Sequence, residues 1–135
     1  MTPAAGWMER RMPSILMIDD DDDFSGLTSE FFTRLGYKVE LATGGKSGLA
    51  KVADSAPDLI FLDIMMPDMN GIEVLRELSS DYDTASIPVL VMSSRQVDEG
   101  LRRMFAQERN FKGFVAKPPN FDALEMKVAG LLRGS

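Results

Sequence analysis

From Ser14 onward, short unbroken apolar runs alternate with segments of helical periodicity. Ile15-Leu16-Met17-Ile18, Leu59-Ile60-Phe61-Leu62, Val89-Leu90-Val91-Met92 and Phe114-Val115-Ala116 contain no polar member that would mark a wet face. Such runs between helices predict strands buried on both faces, as in a parallel sheet. Tyr37-Lys38-Val39-Glu40-Leu41 alternates apolar and polar instead, which predicts a half-exposed strand at a sheet edge. Phe24, Leu27, Phe31 and Leu35 are spaced for a helix, with Gly36 placed to end it. Leu49, Val52 and Ala53 mark a second helix, ending before Pro57, and Ile72, Leu75 and Leu78 a third. Val97, Leu101, Met104 and Phe105 mark a fourth. Phe121, Leu124, Val128, Leu131 and Leu132 mark a fifth, with Asn120 as its N-cap. Strand and helix alternating five times imply right-handed crossovers in a doubly wound α/β sheet. The half-exposed second strand fits the edge of a flavodoxin-like (βα)5 fold with strand order 2-1-3-4-5. Residues 1–13, with Trp7, read as a disordered tail, and residues 14–133 as one domain with no second domain after it.

The runs stop at polar residues. The first ends in Asp19-Asp20, the third in Asp63, the fourth in Ser93-Ser94 and the last in Lys117-Pro118. In a parallel sheet all these ends lie along one edge, where ligands bind. Three carboxylates, a hydroxyl and an ammonium are thereby expected at one place. Clustered carboxylates repel, and a cation offsets the repulsion. Oxygen donors suit Mg²⁺, with Mn²⁺ as the substitute. Asp21, Asp22 and Asp23 read as a solvated acidic turn, with Asp22 or Asp23 capping the first helix. Asp63 precedes the turn Pro67-Asp68-Met69-Asn70-Gly71, which leaves its carboxylate facing the crevice. A carboxylate accepts a phosphoryl group when a metal neutralises that group, and a lysine offers a mobile charge for phosphate.

Composition narrows the chemistry. The 135 residues carry a net charge of −6, so no basic stripe is available for nucleic acid. With no cysteine or histidine, disulfides, thiol chemistry and imidazole ligands are excluded. Neither a spanning stretch nor the apolar core of a signal peptide is present in the sequence, and the expected compartment is the cytoplasm.

Ile18-Asp19-Asp20, Leu62-Asp63-Ile64-Met65-Met66-Pro67 through Gly71, Ser93, and Lys117-Pro118 together resemble the receiver domain of a two-component response regulator, of the CheY-like chemotaxis type. The resemblance runs from about Ser14 to Arg133. It implies that Asp63 is the phosphoacceptor for a sensor histidine kinase or a histidine phosphotransfer protein. It also implies Mg²⁺ held by Asp20, Asp63 and the backbone carbonyl of Met65, with Asp19 acting mainly through water. Ser93 would bond the phosphoryl oxygen, Lys117 would pair with it, and Phe114 would be the aromatic switch beside a cis Lys117–Pro118 bond. Met65 and Arg95 would flank the path of the hydrolysing water and set the lifetime of the phosphate. Phosphorylation and dephosphorylation would be self-catalysed, without conventional enzyme turnover. The output would be a conformational change read by an effector protein or by a C-terminal output domain removed from the chain, with phosphorylation-dependent dimerisation as a further route. This chain departs from the pattern at Ser94, at Pro119, and at Arg109-Asn110-Phe111-Lys112-Gly113 before the last strand. Those departures bear on the output face.

Three other readings compete. A receiver fold could dock partners without being phosphorylated, although every acid, hydroxyl and lysine is in place. A haloacid-dehalogenase phosphatase also uses a strand-end aspartate, but there the pattern is Asp-x-Asp, and Met65 stands at the second place. A flavin carrier needs a Ser/Thr/Gly loop for the flavin phosphate, which an acidic first turn would repel.

Overall fold

The computed structural model describes residues 12–133. The expected disordered tail, with Trp7, lies outside the described residues except for Met12 and Pro13. Five strands form one parallel sheet: β1 Ser14–Ile18, β2 Lys38–Ala42, β3 Leu59–Asp63, β4 Val89–Ser93 and β5 Phe111–Ala116. The helices are α1 Asp22–Arg34, α2 Gly45–Ser55, α3 Gly71–Ser80, α4 Glu99–Ala106 and α5 Phe121–Arg133. The strand order is 2-1-3-4-5, as the pattern predicts.

Period-2 alternation divides each strand between two cores. Leu16, Ile18, Ile60, Leu62, Val89 and Val91 pack on one face with Val52 of α2, Ile72, Leu75 and Leu78 of α3, and Phe105 of α4. Ile15, Met17, Leu59, Phe61, Leu90 and Met92 pack on the other with Phe24 and Phe32 of α1 and Leu124 and Val128 of α5. Both faces of the three central strands are therefore covered, which is why their sequences show no polar alternation. The edge strand β2 is only partly buried, in keeping with its mixed pattern.

Four local expectations are corrected. Asp21, not Asp22 or Asp23, caps α1, its carboxylate accepting from the Phe24 amide at 3.1 Å. Leu27 and Leu35 are 55% and 52% exposed, because α1 turns Phe24, Ser25, Thr28 and Phe32 toward the sheet instead. Val97 precedes α4, which Asp98 caps, and Met104 is partly exposed. The last strand begins at Phe111, not Phe114. A bulge sets Phe111 against Val89 but Phe114 against Val91, so three residues span what two span on β4. Gly113, at φ +135°, occupies the stretch that makes up the difference. The bulge keeps Phe111 and Phe114 on the same side, both packed on Phe105. The expected cap of α5 is present, with Asn120 accepting from the Ala123 amide at 2.9 Å.

Candidate functional site

The β1 backbone delivers Asp19 to the carboxyl edge of the sheet, where it is 1% exposed, while Asp20 beside it is open to solvent. Asp63 ends the neighbouring strand β3 and is 7% exposed. One oxygen from each of Asp19, Asp20 and Asp63 lies within 4.8 Å of the others. Such a set of hard oxygen donors, with no imidazole or thiolate, fits Mg²⁺. The chain's own counter-charge is Lys117, whose Nζ lies 2.9 Å from Asp19 Oδ2 and 3.8 Å from Asp63 Oδ1.

These neighbours perturb one another. Burial, and then the charge of Asp19, push the Asp63 carboxyl up from 3.8 to about 7, against the pull of Lys117 and of the Met65 amide that donates to it. At neutral pH a protonated fraction of Asp63 coexists with the carboxylate until further positive charge arrives. Burial, the largest single influence, disfavours the charged form of Lys117, yet its bond to Asp19 together with the charges of Asp19, Asp63 and Asp21 outweighs it and raises the pKa. Asp19 also accepts from the Asp21 amide at 2.9 Å, which fixes its carboxylate.

Ser93, at the end of β4, is 6% exposed. Its Oγ donates to the Arg95 carbonyl at 2.7 Å and accepts from the Arg95 amide at 3.1 Å, so the hydroxyl is engaged with its own turn. Asp20, Asp63, Met65, Ser93, Arg95 and Lys117 line one cleft of about 430 Å³. Met65 is 68% exposed at its rim, and Ser94 opens onto the same cleft. Asp22 and Asp23 are exposed and line none of it. Of the residues expected at the site, Asp19 lies buried behind the cleft, joined to it through Lys117 and the carboxylate cluster, and Phe114 stands on the far side of the β4–α4 loop. The Phe114 ring lies 5.2 Å from that of Phe105 and 4.9 Å from that of Phe111, and the Arg102 guanidinium sits 5.2 Å above it. The Lys117–Pro118 bond is cis.

Residues 15–129 match the family model of the response regulator receiver domain. The chain belongs to this family. Regulatory protein VanRB of Enterococcus faecalis is 36% identical to it over 90% of this chain and 53% of that protein. Protein PilH of Pseudomonas aeruginosa is 26% identical over 91% of this chain and 100% of its own length. The structure of chemotaxis protein CheY4 of Vibrio cholerae superposes with a TM-score of 0.81 at 25% identity, covering 89% of this chain and 98% of that one. The receiver spans about half the length of VanRB and of several other curated relatives it matches. Among the described residues, no helix is long and apolar enough to cross a membrane.

Two contributors to this receiver's site escaped the sequence reading. Phe24 lies beneath Lys117, its ring centroid 4.9 Å from Nζ, and Arg102 covers Phe114. Phe24 reads as a helix core residue by spacing, and only its place directly after the acidic turn hints at more. Arg102 sits one residue from the apolar positions of α4 and carries no signal of its own.

Proposed function

We propose that residues 14–133 form a phosphoacceptor switch in which Asp63 takes a phosphoryl group from a sensor histidine kinase or histidine phosphotransfer protein. The supporting observation is the meeting of Asp19, Asp20, Asp63 and Lys117 at one sheet edge, with a single ammonium against three carboxylates. Asp20, Asp63 and the Met65 carbonyl would hold Mg²⁺, with Asp19 acting through water. When bound, Mg²⁺ (or Mn²⁺) supplies the charge that offsets the carboxylates and the transferred oxygens.

Asp63 attacks phosphorus through a carboxylate oxygen. An O–P bond forms as the bond from phosphorus to the donor's nitrogen or oxygen breaks, and the leaving group takes up a proton. Lys117 pairs with the new phosphoryl oxygens, and Ser93 gives up its bond to Arg95 to donate to one of them. Phe114 then turns into the space Ser93 vacates, and the change is read on α4, β5 and α5, from Val97 to Glu108 and at Phe121. Return requires water to attack phosphorus in line, releasing inorganic phosphate and the Asp63 carboxylate. Both steps are self-catalysed, and Met65 and Arg95 tune the second. The protein works in the cytoplasm without contacting nucleic acid through this domain. Its output passes to an effector protein, a C-terminal output domain or a second phosphorylated copy.

Incubation with Mg²⁺ and a small acyl phosphate is the test. A one-phosphate mass increase that needs Mg²⁺ and is removed by hydroxylamine is the expected result. No mass increase would favour a docking module that is never phosphorylated.

A further inference from the structure

The loop after Asp63 is bonded to a helix that carries none of the reacting groups. α2 starts behind Gly44, which has no side chain to cap it. Its cap comes from another loop. Asp68 accepts from the Gly45 amide through Oδ1 and from the Lys46 amide through Oδ2, each at 3.1 Å. A carboxylate at a helix N-terminus is favoured by the helix dipole, and the Lys46 and Gly45 amides hold this carboxyl below its ordinary value.

The approach is close enough to dictate residue types. Gly44 is extended (φ −160°, ψ 172°), a conformation open to any residue, so its glycine is a matter of space. A Cβ there would lie 2.9 Å from Asp68 Oδ1, and its three nearest atoms would all belong to Asp68. A Cβ on Gly45 would come within 2.7 Å of Met69 Cβ. The start of α2 is therefore pressed against loop 64–70.

That loop is fastened at both ends to the acceptor and to α3. The Met65 amide donates to the Asp63 carboxylate. The Gly71 amide donates to the Ile64 carbonyl at 2.9 Å, and Asn70 and Glu73 form a reciprocal capping box. Between these anchors Pro67 and Asp68 are exposed, and the two Asp68 bonds tie this outer stretch to the body of the domain.

We infer that Asp68 is a positioning residue for phosphoryl acceptance: by tying loop 64–70 to the N-terminus of α2, it holds the Met65 backbone in register with Asp63. The inference rests on Asp63 being the acceptor and on the Met65 carbonyl being a metal ligand. It assigns to α2 a role in the site that none of its own side chains performs. Partners one step removed from metal ligands commonly change affinity or activity by about 10–100-fold when lost.

A plain helix cap would make the same two bonds, so the test moves the cap. Asp68→Ala removes both the cap and the tether. Asp68→Ala with Gly44→Ser supplies a local N-cap, in backbone already extended and in space the carboxylate has left, and so restores the helix start without the tether. Three quantities are measured: the melting temperature without metal, amide exchange of residues 65–71 without metal, and Mg²⁺ affinity by calorimetry. Asp68→Ala is expected to melt lower, exchange faster in the loop, and bind Mg²⁺ about tenfold more weakly. The double variant is expected to recover the melting temperature while loop exchange and Mg²⁺ affinity stay as in Asp68→Ala. Recovery of all three in the double variant, or unchanged exchange and affinity in Asp68→Ala, would overturn the inference. If Asp68→Ala does not fold, the double variant, whose helix start is capped locally, is compared directly with wild type, and unchanged loop exchange and Mg²⁺ affinity there would overturn it as well. Labelling of the wild type with an acyl phosphate separates the two claims. Wild type that takes no phosphate on Asp63 refutes the reading beneath, whereas labelled wild type with indifferent variants refutes only the tether.

Discussion

The two halves of the cleft are built differently. On one side, Asp63 is followed by a loop held to α2, to α3 and to Asp63 itself, and α3 buries Gly71, Ile72, Val74, Leu75 and Leu78. On the other, Ser93 leads into an exposed stretch from Ser94 to Gln96, and α4 buries Phe105 alone. Elements with few buried contacts open at the lowest cost, and moving parts are drawn from them. On the proposed reading the difference is a division of labour, with Asp63 on the rigid half and the response on the loosely held one. Ser93 stands at the boundary, its hydroxyl committed to Arg95 until something better bonds it.

The largest expected effect strikes the rigid half at its centre. Asp63→Asn keeps the side chain's shape and removes the nucleophile, and labelling should fall to background while the fold survives. The same variant has a pH signature. Because the folded pKa of Asp63 is raised to about 7, mainly by burial, the stability tied to its protonated form is present at low pH. It is lost as pH rises from 3.8 through about 7. Metal-free Asp63→Asn should therefore match wild type near pH 4 and exceed it at pH 8 by about 1–3 kcal/mol in chemical denaturation.

Asp20→Asn should come next, abolishing most of the thermal stabilisation by Mg²⁺ while raising the melting temperature of the metal-free protein by relieving carboxylate repulsion. Equal Mg²⁺-induced shifts in variant and wild type would remove Asp20 from the site. The contrast between halves is then tested by truncation. Leu75→Ala in α3 should cost about 2–5 kcal/mol, whereas Met104→Ala in α4 should cost about 0.5 kcal/mol or less. Native-state amide exchange should run at least about tenfold faster in α4 than in α3. Similar costs and rates would erase the distinction. The smallest effect concerns lifetime. Met65 is apolar and Arg95 a donor-only cation, so neither orients an attacking water well. Met65→Asn should speed loss of phosphate by about tenfold or less after donor removal, since orientation is only part of the barrier.

Most of this was legible because burial on both faces writes itself into a strand as an unbroken apolar run. The four such runs pointed to a parallel sheet and the half-exposed β2 to its edge, and the polar residues at their ends pointed to the candidate site. The end of the pattern least legible was β5, where the bulge at Gly113 breaks the alternation that would have joined Phe111 to Phe114. The exposure of Leu27 was equally hidden, since helical spacing shows which residues share a face but not which face meets the sheet. Contacts between loops distant in sequence, such as Asp68 with Gly45, leave no periodic trace at all.

Borohydride reduction of the phosphorylated protein, followed by peptide sequencing, tests the central claim most directly, because it converts an aspartyl phosphate to homoserine where it stands. Homoserine at position 63, formed only when Mg²⁺ and the phosphodonor were both present, is the result predicted. Homoserine at position 19 or 20, or phosphate on Ser93 or Ser94, would contradict the account.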